Sequence, residues 1–135
     1  MNIRLVEGYP RPIIEQDYPD CAQYFVDCLT TLDPSLSFQF FAPFEATLLD
    51  ACLESIGGTV FTDSSTASAT DSAENRPQKH TMESVFKRRI PCWGSCAGLQ
   101  LAAVVLSGTV SASPNGVEVG LARDLYSLKQ VNNTL

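Results

Sequence analysis

The sequence predicts an α/β fold, an open, doubly wound and mostly parallel sheet with helices on both faces. Two observations predict it. Short segments in which apolar and polar residues alternate take turns along the chain with longer segments whose apolar residues recur at helical spacing. The resulting order, β-α-β-α-β-α-β-α-β, is the pattern that right-handed crossovers turn into parallel strands with helices on either side. The chain is 135 residues long, enough for one domain with a core of its own and no need of a metal or disulfide staple.

The elements follow in order. Ile3-Arg4-Leu5-Val6 reads as the first strand, and Gly8-Tyr9-Pro10-Arg11-Pro12 breaks it with a turn-rich loop. From Pro19 a helix is expected, with Cys21, Phe25, Cys28, Leu29 and Leu32 on one face, until Asp33-Pro34 stops it. Leu36, Phe38 and Phe40 then alternate with Ser37 and Gln39 as a second strand. Pro43 opens a second helix carrying Leu48, Leu49, Cys52, Leu53 and Ile56, with Gly57-Gly58 as left-handed caps. Thr59-Val60-Phe61 is the third strand, and residues 62–77, rich in Ser, Thr and Ala, read as a long loop. A third helix over Gln78–Arg88 turns Met82, Val85 and Phe86 inward, and Ile90–Trp93 is the fourth strand, with Cys92 in its core. Ala97–Leu106 is apolar nearly all round and reads as a buried helix ended by Gly108, and Val117, Val119 and Leu121 alternate as a fifth strand.

Composition narrows the partners. Nine Lys and Arg against 15 Asp and Glu leave a net charge of −6, which repels a polyanion and disfavours nucleic-acid binding. Residues 1–75 carry 12 acidic and 2 basic side chains and residues 76–135 carry 3 and 7, an imbalance that a compact fold interleaves. The basic run Lys87-Arg88-Arg89 fits a solvated helix end. No secretory leader is read at the start, and no apolar run approaches the ~20 residues of a membrane span. Five cysteines, Cys21, Cys28, Cys52, Cys92 and Cys96, are an odd number set mostly within apolar segments, as expected of a reducing cytoplasm. Their spacing matches no zinc site, and no glycine-rich phosphate loop occurs, so neither metal nor cofactor is expected.

The stretch that carries chemistry is Ile90-Pro91-Cys92-Trp93-Gly94-Ser95-Cys96-Ala97-Gly98-Leu99-Gln100. An apolar strand runs through G-x-C-x-G into an apolar helix, a nucleophile elbow with cysteine at its apex. The apex residue is forced into a strained backbone, and glycines two before and two after it keep side chains from colliding where strand and helix meet. Cys96 would stand at a helix N-terminus, whose dipole favours the thiolate that a nucleophile needs. The Ala97 N–H would face the same spot as an oxyanion donor.

At these residues the chain resembles the class I, or triad, glutamine amidotransferases, above all the stand-alone GMP-synthase-like members, whose elbow reads G-x-C-x-G followed by an apolar residue and Gln. Val6-Glu7-Gly8-Tyr9-Pro10-Arg11 is similar to their first strand and loop, Val60-Phe61-Thr62-Asp63-Ser64-Ser65 to their third strand and turn, and Glu118-Val119-Gly120 to their E-x-G strand. The resemblance implies a flavodoxin-like topology across residues 1–135 and a reaction in which the glutamine side-chain amide is hydrolysed through a cysteinyl thioester. It implies Cys96 as nucleophile, Ala97 and Asp63 as the backbone oxyanion positions, and Gln100 and Glu118 on the substrate side. Glutamine or a related small amide would be the substrate, and a synthase or other ammonia acceptor a partner.

Two departures accompany the resemblance. Where the family places a glycine in the turn after the third strand, this chain has Asp63, which brings a negative charge toward a developing anion. No histidine lies between Cys96 and Leu135, so the His-Glu half of the triad is expected to be absent, in a truncated or non-catalytic domain. The one histidine, His80, starts the third helix at the same sheet edge and is a candidate substitute base. Two alternatives are a non-catalytic binding or regulatory module, and a DJ-1-like or other cysteine hydrolase using His80.

Overall fold

The computed structural model of the chain describes residues 1–8, 21–44, 50–64, 75–114 and 116. They form β1 (Asn2–Val6), α1 (Cys21–Leu32), β2 (Ser37–Phe41), a 3-10 turn (Asp50–Leu53), β3 (Gly58–Phe61), α2 (Arg76–Lys87), β4 (Cys92–Gly94) and α3 (Ala97–Val105). The strands lie in the order β2-β1-β3-β4, and every pairing is parallel. This is the doubly wound, flavodoxin-like arrangement. The order reverses between β1 and β3, so the crevice at their carboxyl ends is where such a sheet receives a ligand. The fifth strand expected over 117–121 and the middle of the long loop lie outside the described residues.

Burial follows from the pleat. In β1, Ile3 and Leu5 point to the α1 face, and Val6 points to the other. Leu5 is fully enclosed and Val6 nearly so, and all four residues of β3 are buried, as central strands covered on both sides require. On one face Ile3, Leu5 and Val60 pack with Ala22 of α1, flanked by Phe25, Val26 and Leu29. On the other, Val6 and Phe61 pack with Leu53, with Met82 and Val85 of α2, and with Leu101 of α3. Each fully buried side chain of this size contributes about 1.5–3 kcal/mol relative to exposure.

Both α2 and α3 end in the same way. Arg89 has φ 55° and donates its N–H to Phe86, while the Ile90 N–H reaches back to Val85. Ser107 has φ 63° and donates to Val104, while the Gly108 N–H reaches Ala103. These are paired 6→1 and 5→2 bonds of a Schellman ending, with Arg and Ser in the left-handed position usually given to Gly. The basic run is therefore a helix end, with Ile90 folded back on the core as its hydrophobic contact.

Several expectations are corrected. The stripe of α1 that meets the sheet is Ala22, Phe25, Val26 and Leu29, whereas Cys28 and Leu32 are exposed, because Leu32 sits at the helix end beyond the sheet. Phe40 of β2 is half-exposed, at an outer strand. Pro43 and Phe44 form a turn, and Asp50–Leu53 is a single 3-10 turn where a continuous helix was expected; residues 45–49 lie outside the described set. Gly57 and Gly58 do not cap a helix, since neither has positive φ. Gly58 begins β3, and a Cβ there would press on Ile3 Cδ1 at 3.3 Å. The fourth strand starts at Cys92 instead of Ile90, because Ile90 is spent on the helix ending. Cys92 is exposed rather than core, and Trp93 is 65% exposed, because β4 is three residues long and pairs on one side only among the described residues. Only Ala97, Gly98 and Leu101 of α3 are buried, so it is not enclosed all round.

No helix among the described residues is long and apolar enough to cross a membrane. All five cysteines are free thiols.

Candidate active site

The turn from β4 into α3 has the geometry that its glycines predict. Cys96 takes φ 46° and ψ −105°, a conformation that L-residues rarely adopt. What holds it there is contact on both sides. A Cβ on Gly94 would lie 2.6 Å from the carbonyl carbon of Gly98, and one on Gly98 would lie 2.6 Å from the Phe61 carbonyl oxygen at the end of β3. Both glycines are thus steric requirements of the strand-helix approach. The Ser95 N–H donates to the Phe61 carbonyl at 3.0 Å, the Gly98 N–H to Ser95 at 2.8 Å, and the Gln100 N–H to Cys96 at 3.1 Å, which starts the helix. The apex thiol is exposed.

The neighbouring loops after β1 and β3 are locked together. The Gly8 N–H donates to the Thr62 hydroxyl at 2.9 Å, and the Thr62 hydroxyl donates to the Asp63 carbonyl at 3.2 Å. The Gly8 carbonyl accepts from the Ser64 hydroxyl at 2.7 Å and from the Gln78 side-chain amide at 3.0 Å. A side chain at Gly8 would run into the Asp63 backbone, so glycine is required for this close approach. Thr62 and Gln78 are buried polar groups whose function as clamps was not read from the sequence. A polar residue ending an apolar strand, and a Gln behind Pro77 at a helix start, are the signals that mark them.

Asp63 reaches from this clamp to the elbow. Its Oδ1 accepts the Ser64 N–H at 2.8 Å and the Ala97 N–H at 3.4 Å. The N–H expected to receive an oxyanion therefore already faces a carboxylate. The same carboxylate pushes the Cys96 thiol above the ordinary thiol pKa, first by holding its proton in a hydrogen bond, then, after desolvation, by its charge. The Ala97 N–H pulls the other way and is outweighed. The direction is opposite to the thiolate preference expected of a helix N-terminus: the Asp63 hydrogen bond, then desolvation, then the Asp63 charge together outweigh one backbone N–H.

His80 does not join this group. It is exposed on α2 and opens onto the same surface depression as Ser84, Lys87 and Arg88, toward the far end of the helix. Gln78, two residues earlier, takes the inward position at the crevice. Helical spacing thus turns His80 away from the clamp that Gln78 enters. Gln100 lies half-buried one turn into α3, above Cys96. Glu118 lies outside the described residues. Among the described residues no three His, Cys, Asp or Glu side chains gather in a way that could hold a metal ion.

No family model and no curated protein matches the chain. Among solved structures, that of SMU.1228c is similar, with a TM-score of 0.55 at 12% identity over 81% of this chain. The aligned part is 44% of that protein, so the chain spans less than half its neighbour's length. At this identity the likeness concerns the backbone alone, and together with the all-parallel sheet it establishes an α/β fold of flavodoxin-like type.

Proposed function

We propose that the β4-α3 turn is the nucleophile elbow of a class I glutamine amidotransferase-like domain, and that the described residues do not by themselves hydrolyse glutamine. The observation that carries the reading is the backbone of Cys96, φ 46° and ψ −105°, held between two glycines that leave no room for a Cβ. Strain of this kind costs on the order of 1–3 kcal/mol and persists where a side chain must be presented at an apex.

In the reaction of this class, the Cys96 sulfur adds to the amide carbon of glutamine, and the electron pair of the carbonyl moves to oxygen. The tetrahedral intermediate collapses with cleavage of the C–N bond, a base-delivered proton leaves with ammonia, and water then cleaves the thioester to glutamate. Ala97 would supply one oxyanion N–H, and Gln100 and Glu118 would act on the substrate side. Two features oppose turnover. The Asp63 carboxylate sits on the Ala97 N–H, and His80 faces a different surface. The His80 placement also weighs against a DJ-1-like or other hydrolase that uses it as base.

Ammonia release from glutamine is expected to be the same for the wild type and Cys96→Ala. A rate clearly lost in the variant overturns the inactive reading. Labelling of Cys96 by a glutamine-mimicking electrophile, displaced by free glutamine, is expected if the elbow belongs to a glutamine site; no displacement overturns the substrate assignment.

A further inference from the structure

We infer that Asp63 is a built-in latch on the elbow: its carboxylate, fixed by the Ser64 N–H, takes up the first N–H of α3 directly beside Cys96 and keeps the thiol unreactive until the carboxylate is removed or displaced. The inference rests on the reading of Cys96 as a nucleophile position and adds a positioning residue that controls it.

The geometry carries it in three steps. First, the carboxylate cannot withdraw with its backbone. The Asp63 carbonyl is held by the Thr62 hydroxyl and packed against Gly8, and the next residue is tied to the Gly8 carbonyl through Ser64 Oγ. Second, Oδ1 has two backbone donors, Ser64 N–H at 2.8 Å and Ala97 N–H at 3.4 Å. The nearer bond fixes the side chain; the longer one places it over the elbow. Third, a carbonyl oxygen becoming negative at Cys96 would need the same N–H and would meet a like charge there, which costs rather than lowers the barrier.

The charged neighbourhood is simple. Among the described residues, Asp63 is the charge that acts on the Cys96 thiol. α3 carries no ionisable side chain, β4 carries only Cys92, and the inward residues of α2 are Gln78, Thr81, Met82 and Val85. Glu7, directly after β1, is not among the groups that shift the thiol. Changing one carboxylate should therefore change the thiol, and little else.

The test uses the 135-residue chain with iodoacetamide as probe, following each cysteine by peptide mass spectrometry from pH 6 to 10. Asp63→Asn keeps the acceptor oxygen and removes the charge; Asp63→Gly removes both. At pH 7 the Cys96 rate is expected to rise roughly threefold or more in both variants, since thiolate fraction follows the thiol pKa tenfold per unit. The pH midpoint of Cys96 should fall, with that of Cys92, set by burial alone, unmoved. Unchanged rate and midpoint at Cys96, in variants with native circular dichroism, overturn the latch. Should neither variant fold, the wild type decides: its native Cys96 midpoint is expected above that of the urea-unfolded chain, and an equal or lower one overturns the latch. Glutamine is absent from this assay, so its outcome is independent of the displacement test above.

Discussion

Among the described residues, three non-glycine residues have positive φ, and they fall into two kinds. Arg89 and Ser107 end α2 and α3, each stabilised by a pair of backbone hydrogen bonds that use up carbonyls the helix leaves open. Cys96 begins α3, with ψ −105°, far from the left-handed helical region, and no side-chain cap. At the helix ends the unusual backbone does the work and the side chain is incidental. At the elbow the backbone is paid for by neighbours, and what it presents is the side chain. Hydrogen bonds span the elbow too, from the Gly98 N–H to Ser95 and from the Gln100 N–H to Cys96, so what sets it apart is a backbone outside the left-handed helical region, wedged between glycines that admit no Cβ.

The largest expected effect attacks that packing. Gly98→Ala places a Cβ 2.6 Å from the Phe61 carbonyl oxygen, at a junction of β3, β4 and α3 where nothing flexible can yield. It should destabilise the fold by about 2–4 kcal/mol in urea titration, beyond ordinary overpacking because the clash is with backbone. A loss below about 1 kcal/mol would mean that the elbow relaxes, and the contrast with the helix ends would weaken.

Substitution by glycine separates the two kinds directly. Cys96→Gly should raise stability by about 1–2 kcal/mol, the strain relieved at a residue that presents a side chain. Arg89→Gly and Ser107→Gly should each gain only about 0.5–1 kcal/mol, because the left-handed backbone of a helix end is less costly to an L-residue than the Cys96 conformation. Thermal or urea unfolding measures both; a larger gain at Arg89 than at Cys96 would remove the distinction.

The smallest effect is the pH dependence. The folded state raises the Cys96 thiol pKa, so between the unfolded and folded values the native chain holds a proton that the unfolded chain has lost. The stabilisation is complete below the unfolded thiol pKa and disappears as pH rises through the folded one. Cys96→Ser should therefore flatten the alkaline decline of urea stability, and Asp63→Asn should do so in part. A wild-type slope identical to that of Cys96→Ser would detach the thiol from the carboxylate.

How much of this was legible in the sequence depended on the range of the interaction. The strands around Leu5 and Val60 and the inward face of α2 were legible from periodicity, because a buried strand or helix face repeats over several residues. Cys28 and Leu32 were misplaced, because neighbouring stripes on a short helix differ by a fraction of a turn and only the sheet selects one. Gly57-Gly58 looked like a cap but serves β3, since a glycine pair can answer a turn or a close approach and only the neighbours distinguish them.

The sequence by itself determined the strand-to-helix turn, because Gly94, Cys96 and Gly98 lie within five positions and the conflict that Gly94 avoids, with the Gly98 backbone, is local; the one that Gly98 avoids, with Phe61 of β3, needs the sheet. It also identified Asp63 as a departure. Tertiary structure alone decided what that departure does. The Asp63 carboxylate meets Ala97 and Cys96 because β3 and β4 are parallel neighbours in register, with Phe61 opposite Gly94, so the loop after one strand ends beside the helix after the other. The same geometry turned Gln78 toward the crevice and His80 away from it. Hydrogen-bond contact requires placement to within a fraction of an ångström between residues more than 30 positions apart, and that precision comes only from the packed sheet.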